Sequence, residues 1–241
     1  MFKETIAKSA EAEAQHRRQL GPKNDYAHVK IRVVPLSPGS GARLQPINPE
    51  FFPKEYFPGV EQGLISALAT GPVGRYEVTD LEAEVVSGSY HDVDSSLNAF
   101  VRATEDAVRK AVRAAEPHLL EPLTKFSLEV SEEFVGAAMG ELTSREGRIE
   151  RVHPIKISNH LIIEAVVPER NSSVLEEALR YYTRSQIHPS ASPGGYQALP
   201  ESIATRMQYC AGCERKVLPA GWARCPDCGS TLGSGDDFSM V

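Results

Sequence analysis

The sequence predicts an α+β protein that consists of two modules followed by a small module built around four cysteines. Three observations support this prediction. At 241 residues, the chain is longer than one typical domain. Segments with the two-residue period of strands alternate along the chain with segments that have the period of helices. All four cysteines fall between Cys210 and Cys228, after 209 residues that contain none.

The composition is that of an ordinary soluble globular protein, with 41% hydrophobic and 24% charged residues. The formal net charge of −6 argues against a protein that binds nucleic acid through overall positive charge, although local basic patches remain compatible with RNA contact. The most apolar stretch, residues 161–167, is interrupted by Glu164 and is too short to cross a bilayer. The N-terminus lacks the apolar core of a signal peptide. We therefore expect a cytoplasmic protein.

The first module begins with a segment that we expect to be a helical or partly ordered lead-in, residues 1–23, ending at the breaker pair Gly21-Pro22. Polar and apolar residues then alternate over residues 28–33, which predicts a strand. Its polar face would carry His28, Lys30 and Arg32, either as a patch that faces RNA or as an ordinary solvated face of a sheet.

Two helices and a second strand complete the first module. Residues 59–70 place their apolar side chains on one face, which predicts a short helix that stops at Gly71-Pro72. The alternation of residues 76–86 predicts a strand. A long helix should begin near residues 94–96, because Asp and Ser are favourable N-caps, and should end at Glu116-Pro117.

The second module has the element order β-α-β-β-α. The expected elements are a strand at residues 125–130, a helix at 132–143, strands at 149–152 and 161–167, and a helix opened by a capping box from Ser173 to Glu176. This order matches a ferredoxin-like, split βαβ sheet without an obvious last strand. Residues 188–195 are rich in Pro, Ser and Gly, which indicates a linker or a loop before a poor final strand.

The four cysteines form two pairs, Cys210 with Cys213 and Cys225 with Cys228, separated by eleven residues. Each pair on a tight turn directs two thiolates at one point, and two such turns complete a tetrahedral Zn²⁺ site. Four thiolates leave no open coordination position, so the metal would be structural. Two disulfides or a redox pair are the alternatives, which a cytosolic chain without other cysteines disfavours.

No motif of the sequence predicts catalysis. Residues 90–96 contain His, Asp and Ser, but neighbours on one turn point in different directions and cannot converge as a catalytic triad. A helix start with a loop histidine is the favoured interpretation. The phosphate-loop pattern G-x-x-x-x-G-K-[ST] does not occur, and Gly39-Ser40-Gly41 lacks the lysine and the helix it would need. We therefore expect a protein that is not an enzyme and does not bind GTP.

A series of short motifs runs through the two modules in a fixed order. They are PLSPGSG at 35–41, PKEY at 53–56, PGVExG at 58–63, GPVxxY at 71–76, VSGSYHDVDSS at 86–96, LEP at 120–122 and SREGRI at 144–149, where x is any residue. Their order and spacing over about residues 24–150 resemble the C-terminal half of elongation factor G, the translocase of the ribosome. Such a run is far more specific than any single motif.

This resemblance implies a division of the chain. Residues 24–118 resemble domain IV, which enters the decoding site of the ribosome and mimics a tRNA anticodon arm. Residues 119–200 resemble domain V, a ferredoxin-like module that contacts large-subunit rRNA, and residues 1–23 resemble the end of domain III. Residues 201–229 would be the added zinc ribbon and residues 230–241 a flexible tail.

The resemblance also implies an RNA-binding tip made of two loops with His91 at its apex. The residues that it assigns to RNA contact are Ser37, Pro38, Gly39, Ser40, Gly41, His91, Asp92, Asp94 and Ser95. Backbone N–H groups of a Gly/Ser loop and of a helix N-terminus suit phosphate and ribose contacts, and an exposed imidazole can stack or hydrogen-bond with RNA.

Three functional interpretations follow. The chain binds the decoding (A-site) region without a GTPase, to modulate or protect the ribosome. Alternatively, it is the C-terminal part of a split or truncated elongation factor G that acts in translocation with a separate GTPase part. In the third interpretation the two modules are a scaffold and the ribbon binds another partner. The resemblance fades after Val167, and the ribbon lies outside the common translocase pattern.

Overall fold

A computed structural model of the protein describes residues 1–20, 23–155, 159–182, 188–217, 224–225 and 228–232. The chain divides into two compact units. The first unit comprises residues 2–120 and 198–241, and the second comprises Met1 and residues 121–197. Within the described ranges, no helix is both long and apolar enough to span a bilayer.

The first unit is built on a four-stranded sheet with the order β2-β3-β5-β4. The helices and strands of the whole first unit are β1 Lys3–Ile6, β2 Ala10–Leu20, β3 Lys23–Pro35, β4 Ala42–Leu44, α1 Phe57–Leu68, β5 Leu81–Ser89, α2 Leu97–Ala114 and, near the C-terminus, α5 Glu201–Ala204, β10 Gln208–Cys210 and β11 Arg215–Val217. Strand β3 runs antiparallel to β2 and β5, while β4 is parallel to β5. One face of this sheet is buried under α2, against which α1 packs, and this explains why Val29, Ile31 and Val33 alternate with polar residues.

The two helices of this unit approach each other closely at two glycines of α1. A Cβ atom on Gly59 would lie 2.7 Å from the Leu97 carbonyl oxygen, and one on Gly63 would lie 2.6 Å from the Val101 carbonyl oxygen. Both distances are shorter than real Cβ contacts, so larger residues at these positions would push α1 away from α2. The predicted short helix and the predicted long helix are thus confirmed, and their contact depends on small residues.

The expectation of a helical or partly ordered lead-in at residues 1–23 is wrong. Its described residues form β1, the whole of β2 and the first residue of β3, and β2 pairs with β3 along its whole length. Alanine and glutamate favour helices in isolation, but here they alternate with a period of two. Ala14 is buried on the core face while Glu11 and Glu13 lie on the opposite face beside basic partners. Gly21 and Pro22, the expected breaker pair, lie outside the described residues.

The second unit has the ferredoxin-like order that the sequence predicted, β9-β6-β8-β7. Its elements are β6 Pro117–Ser131, of which residues 117–120 belong to the first unit, a 3-10 turn Glu132–Phe134, α3 Val135–Ser144, β7 Arg148–Pro154, β8 His160–Pro168, α4 Glu169–Tyr182 and β9 His188–Ala198. The predicted inward residues Phe126, Leu128 and Val130 of β6 are fully buried beneath α3 and α4.

Two expectations for this unit need correction. Residues 188–195 are not a linker, because they form most of β9, which pairs with β6. This strand lies at the edge of the sheet, where prolines are tolerated since one side of the strand needs no hydrogen bonds. In addition, α4 begins at Glu169, so Ser173 lies inside the helix and does not open it. The predicted face of α4 is nevertheless correct, since Leu175 and Leu179 are buried.

The buried carboxylate of Glu121 links β6 to α4 and β9 within the second unit. Glu121 is 1% exposed, and its carboxylate lies 3.3 Å from the Arg170 guanidinium of α4. The same carboxylate accepts a hydrogen bond from the Gln197 amide of β9 at 2.9 Å. Burial raises the pKa of Glu121, while the hydrogen bond from Gln197 and the charge of Arg170 act against this rise. The contacts fix both the edge strand and the helix to β6.

Candidate nucleic-acid interface and metal centre

The loop of residues 90–96, between β5 and α2, is anchored to the N-terminal part of β3 by hydrogen bonds. The Tyr26 backbone N–H donates to the Asp94 carbonyl oxygen at 2.8 Å. The Ser95 hydroxyl donates to the Tyr26 carbonyl oxygen at 2.8 Å and accepts from the His91 backbone N–H at 2.9 Å. Because the Ser95 hydroxyl bonds both to the loop, at His91, and to β3, at Tyr26, the conformation of the loop is set by the neighbouring strand. We call this loop, with the adjoining end of the β2–β3 hairpin, the tip.

The loop ends where α2 begins, as the sequence predicted. The Ser96 side chain accepts from the Ala99 backbone N–H at 3.1 Å, which is the hydrogen bond of an N-cap. The Ser96 hydroxyl also donates to the Asp25 carboxylate at 2.6 Å. The N-terminus of α2 is therefore tied to β3 by side chains as well as by the backbone of the loop.

The side chains at the apex of the tip point outward. The imidazole of His91 packs edge-on against the ring of Tyr26, with 4.7 Å between the ring centroids, and remains exposed. Asp92 is exposed as well, and Val93 is 92% exposed. The Ser95 hydroxyl contacts the backbone of His91 rather than its ring, so this segment has the geometry of a capped helix start and not that of a catalytic triad.

The interpretation that residues 37–41 share this tip is wrong. That loop follows β3 and precedes β4, and it is fixed by a hydrogen bond from the Gly41 N–H to the Asp80 carboxylate at 2.9 Å. Asp80 precedes the first residue of β5, whereas His91 follows its last residue, Ser89. Strand β5, with nine residues, spans about 26 Å. The structure therefore places Ser37, Pro38, Gly39, Ser40 and Gly41 at one end of β5 and His91, Asp92, Asp94 and Ser95 at the other.

The structure instead brings the β2–β3 hairpin to the tip, which the sequence prediction missed. Arg17 lies opposite Tyr26 in the antiparallel pair, and Arg18 lies opposite Asp25. Both arginines are exposed, and within the described part of the chain neither forms an ion pair. The adjacent basic residues in a period-two segment were the available signal. They were overlooked because the segment was expected to be helical.

The basic face of β3 is neutralised by acidic neighbours. Lys30 lies 2.9 Å from the Glu11 carboxylate, and the Arg32 guanidinium lies 2.6 Å from Glu11 and 3.0 Å from Glu84. The hydrogen bonds from Lys30 and Arg32 lower the pKa of Glu11. His28 lies 3.3 Å from the Glu13 carboxylate. This pattern favours the solvated sheet face over the patch that faces RNA.

The four cysteines come together at the β10–β11 hairpin. Their sulfur atoms all lie within 4.8 Å of one another, with Cys210 3.5 Å from Cys228 and Cys213 3.7 Å from Cys225. A tetrahedral metal with four sulfur ligands at about 2.3 Å requires sulfur–sulfur distances of about 3.8 Å. All four are free thiols rather than disulfides. The geometry therefore fits one metal ion held by the predicted residues.

The thiols of this cluster differ in acidity. Hydrogen bonds from Ser230 lower the pKa of Cys228 to about 6. The pKa of Cys213 rises to about 12, because its thiol hydrogen-bonds to Cys228 and because burial disfavours the thiolate. Burial also raises the pKa of Cys210. The thiols of Cys210 and Cys213 therefore retain their protons until a cation replaces them, which is the behaviour of a metal site.

Two family models match successive parts of the chain. Residues 1–116 match the family described as elongation factor G, domain IV, and residues 118–207 match the family described as elongation factor G C-terminus. From residue 1 to residue 207, the chain belongs to the elongation factor G family.

Individual relatives agree with this assignment. Elongation factor G of Thermotoga maritima is 35% identical over 210 residues, which cover 86% of this chain and 30% of that protein. A crystal structure of a protein from Thermus thermophilus superposes with a TM-score of 0.76 at 30% identity, covering 85% of this chain and 30% of the other. The chain thus spans about 30% of the length of the relatives that it matches.

The cysteine ribbon follows the part matched to elongation factor G, and it packs against the domain IV part through residues 74–76. The Lys216 N–H donates to the Gly74 carbonyl oxygen at 3.0 Å, and the Tyr76 hydroxyl donates to the Lys216 carbonyl oxygen. The Arg215 guanidinium lies 5.7 Å from the centroid of the Tyr76 ring. These contacts fix β11 to the end of the first unit that is remote from the tip.

Proposed function

We propose that the chain is a ribosome-binding protein that inserts its tip at the decoding region of the small subunit and modulates or protects the ribosome without a GTPase of its own. The observation that carries this proposal is the exposed His91 ring on a loop anchored to Tyr26, in a unit that matches domain IV of elongation factor G. In this proposal the protein acts in the cytoplasm.

The chemistry of the tip supports RNA as its partner. His91 offers an aromatic face and two ring nitrogens, which suit stacking on or hydrogen bonding to an unpaired base. Arg17 and Arg18 offer guanidinium groups for phosphate contacts, with no acidic partner among the described residues. Since the whole chain carries a net charge of −6, such local cations would limit binding to a defined part of the surface.

The second unit is proposed to contact large-subunit rRNA, since it matches the C-terminal domain of elongation factor G and has the ferredoxin-like fold. Residues 37–41 remain candidates for a separate RNA contact. Gly39 and Gly41 of that loop have positive φ values of 82° and 72°, which side chains other than glycine rarely adopt. The backbone N–H of Gly39 is the group proposed to meet RNA, since the Gly41 N–H already donates to Asp80.

The metal of the ribbon is proposed to be Zn²⁺ in a structural role. Four sulfur ligands fill a tetrahedral shell and leave no position for a substrate or water. Zn²⁺ supplies the positive charge that holds four thiolates together, and its binding would stabilise a hairpin with a very small apolar core. The ribbon residues then serve only to hold the metal and to pack against residues 74–76.

A second function is favoured by the length comparison. Because the chain spans about 30% of its relative, it could act as the C-terminal part of an elongation factor G in translocation, together with a separate GTPase part. In both proposals this chain alone binds no GTP, because its sequence contains no phosphate-loop pattern.

Co-sedimentation with purified ribosomal subunits tests the main proposal. We expect binding to small subunits that A-site tRNA reduces, and a loss of affinity of about 1–3 kcal/mol for His91→Ala. His153→Ala is the matched control, since His153 is an exposed histidine on β7 of the second unit. Equal binding by wild type and His91→Ala would refute the role of the tip.

The same assay separates the two functions. If the chain binds and protects ribosomes alone, a GTPase part supplied in trans should not change its affinity. If it acts in translocation, binding should become tight only when the GTPase part of an elongation factor G and GTP are added. Saturable GTP binding or GTP hydrolysis by the purified chain would contradict both proposals.

A further inference from the structure

A cavity of about 310 Å³ opens in the first unit beside the C-terminal ends of α1 and α2. Its lining includes the apolar residues Ala67, Val78 and Val112 and three arginines, namely Arg75, Arg109 and Arg113. None of the described lining residues is acidic. The tip lies at the opposite end of α2, which with eighteen residues is about 27 Å long. The cavity is therefore a different place from the proposed RNA-binding tip.

The three arginines differ in how far their charge is already neutralised. Arg109 lies 2.7 Å from Glu105, its neighbour one turn back on α2. Arg75 and Glu214 of the ribbon are 3.6 Å apart and both exposed, a geometry that contributes little. Arg113 makes no ion pair with any described residue. The cavity therefore carries positive charge that protein carboxylates do not fully compensate.

Cations at helix C-termini often serve only to balance the helix dipole. Here the terminal carbonyl groups already have other donors. The Leu68 carbonyl oxygen of α1 accepts from the Val78 N–H at 2.8 Å, and the Val112 carbonyl oxygen of α2 accepts from the Ala115 N–H at 3.1 Å. Since each guanidinium carries five N–H donors, Arg109 and Arg113 retain donors for a ligand.

The position of Arg75 is fixed before any ligand arrives. Its backbone has a positive φ of 63°, which is rare for a residue with a side chain. The N–H groups of its neighbours Gly74 and Tyr76 donate to the buried carboxylate of Glu4 at 2.8 and 3.1 Å. The Gly74 carbonyl oxygen accepts from Lys216 of the ribbon. Two sets of contacts therefore hold a strained residue at the rim of the cavity.

We propose that this cavity binds a phosphate group, with Arg109 and Arg113 as its charged ligands and Arg75 at the rim. The three arginines suit charge-assisted hydrogen bonds to phosphate oxygens. The apolar lining residues suit the ribose or base attached to that phosphate, and the volume lies at the lower end of the range for small-molecule sites. The phosphate could belong to a free nucleotide or to an RNA backbone. Glu214 competes with it for Arg75.

Calorimetry on the full zinc-loaded chain tests the proposal with three probes: inorganic pyrophosphate, adenosine monophosphate and a ten-nucleotide single-stranded RNA. Arg113→Ala should weaken binding about tenfold, as expected for the loss of a charge-assisted hydrogen bond. Glu214→Gln should strengthen binding about twofold, because it removes the competing carboxylate. Arg102→Ala is the control, since Arg102 lies on the same helix outside the cavity and its loss should change affinity less than about twofold.

The pattern of probe binding distinguishes the two sources of phosphate and shows which results overturn the proposal. Binding of all three probes that depends on Arg113 supports a site for phosphate from either source, and binding of RNA alone with the same dependence supports a site for the RNA backbone. Failure of every probe to bind at millimolar concentration overturns the proposal. An equal loss for Arg102→Ala and Arg113→Ala also overturns it, since general charge attraction would then explain the binding. The experiment contains no ribosomes, so failure of this proposal can be told apart from failure of the proposed ribosome binding by the tip.

Discussion

The two ends of the first unit are built in opposite ways. At the end that carries the ribbon, Glu4 is fully buried, and its carboxylate accepts three backbone hydrogen bonds, from Val73, Gly74 and Tyr76. At the tip, His91 and Val93 are exposed, and the contacts beneath them involve mainly backbone and hydroxyl groups. The buried carboxylate of Glu4 therefore fixes the base of the unit. The tip is held instead by hydrogen bonds of backbone and hydroxyl groups, which leave the side chains of His91 and Val93 available to a partner.

This difference indicates how stability and binding are divided. Buried side chains at the base, such as Glu4, are committed to neighbours within the chain, so changes to them should alter folding. Side chains at the apex of the tip have few such neighbours, so changes there should alter binding and leave folding almost unaffected. The following predictions test this division, beginning with the largest expected effect.

Cys225→Ser should abolish metal binding and unfold the ribbon. Structural Zn²⁺ sites contribute about 10 kcal/mol or more to folding, which the small apolar cluster of the ribbon cannot replace. Elemental analysis should find one Zn²⁺ per wild-type chain and none in the variant. Thr231→Ala, at an exposed position of the ribbon, is the control. Wild-type protein that contains no zinc, or that contains two disulfides, would contradict the metal assignment.

Acidification should release the metal, because protons compete with it for the thiolates. The pKa of Cys210 and that of Cys213 are raised, so above about pH 6, where Cys228 is already a thiolate, at least these two thiols must lose protons when the metal binds. Affinity should therefore fall at least about 100-fold for each pH unit lowered towards about 6. Titration with a chromophoric chelator measures this slope. A flat profile between about pH 6 and pH 8 would contradict it.

Glu4→Gln should destabilise the base of the first unit by roughly 2 kcal/mol, since an amide cannot replace a carboxylate that accepts three backbone hydrogen bonds in a buried site. Denaturant unfolding measures the free energy. Glu13→Gln is the matched control on the exposed face of β2 and should change stability by less than about 0.5 kcal/mol. Equal losses of stability for Glu4→Gln and Glu13→Gln would show that the buried carboxylate of Glu4 stabilises the unit no more than an exposed carboxylate does.

His91→Ala should change the free energy of unfolding by only about 0.5 kcal/mol, because the ring is exposed and contacts mainly Tyr26. The same denaturant titration provides the test. A loss of more than about 2 kcal/mol would mean that the tip is part of the folding core. Its ribosome-binding effect could then not be separated from a loss of structure.

Local chemistry explains which parts could be predicted from the sequence. The cysteine pairs lie close along the chain, the Ser96 cap acts on a residue three positions away, and α2 repeats its apolar positions on one face. Family motifs also indicated the resemblance to elongation factor G, and the family models for its domain IV and its C-terminus match residues 1–116 and 118–207. Each of these signals involves residues near one another in the sequence, so no knowledge of the sheet was needed.

Only the tertiary structure determined where distant segments meet. Residues 10–20 have the composition of a helix, but pairing with β3 gives each Ala a core contact and each Glu a basic partner. Residues 188–198 contain prolines, yet they complete the sheet at its edge. Strand β5, which is about 26 Å long, lies between residues 37–41 at one end and His91 at the other, because its two ends receive different loops. Sequence patterns show whether the apolar residues of a segment recur with the period of a strand or of a helix. The position of that segment in the fold depends on the free energy of pairing with, and burial against, segments that are distant in the sequence.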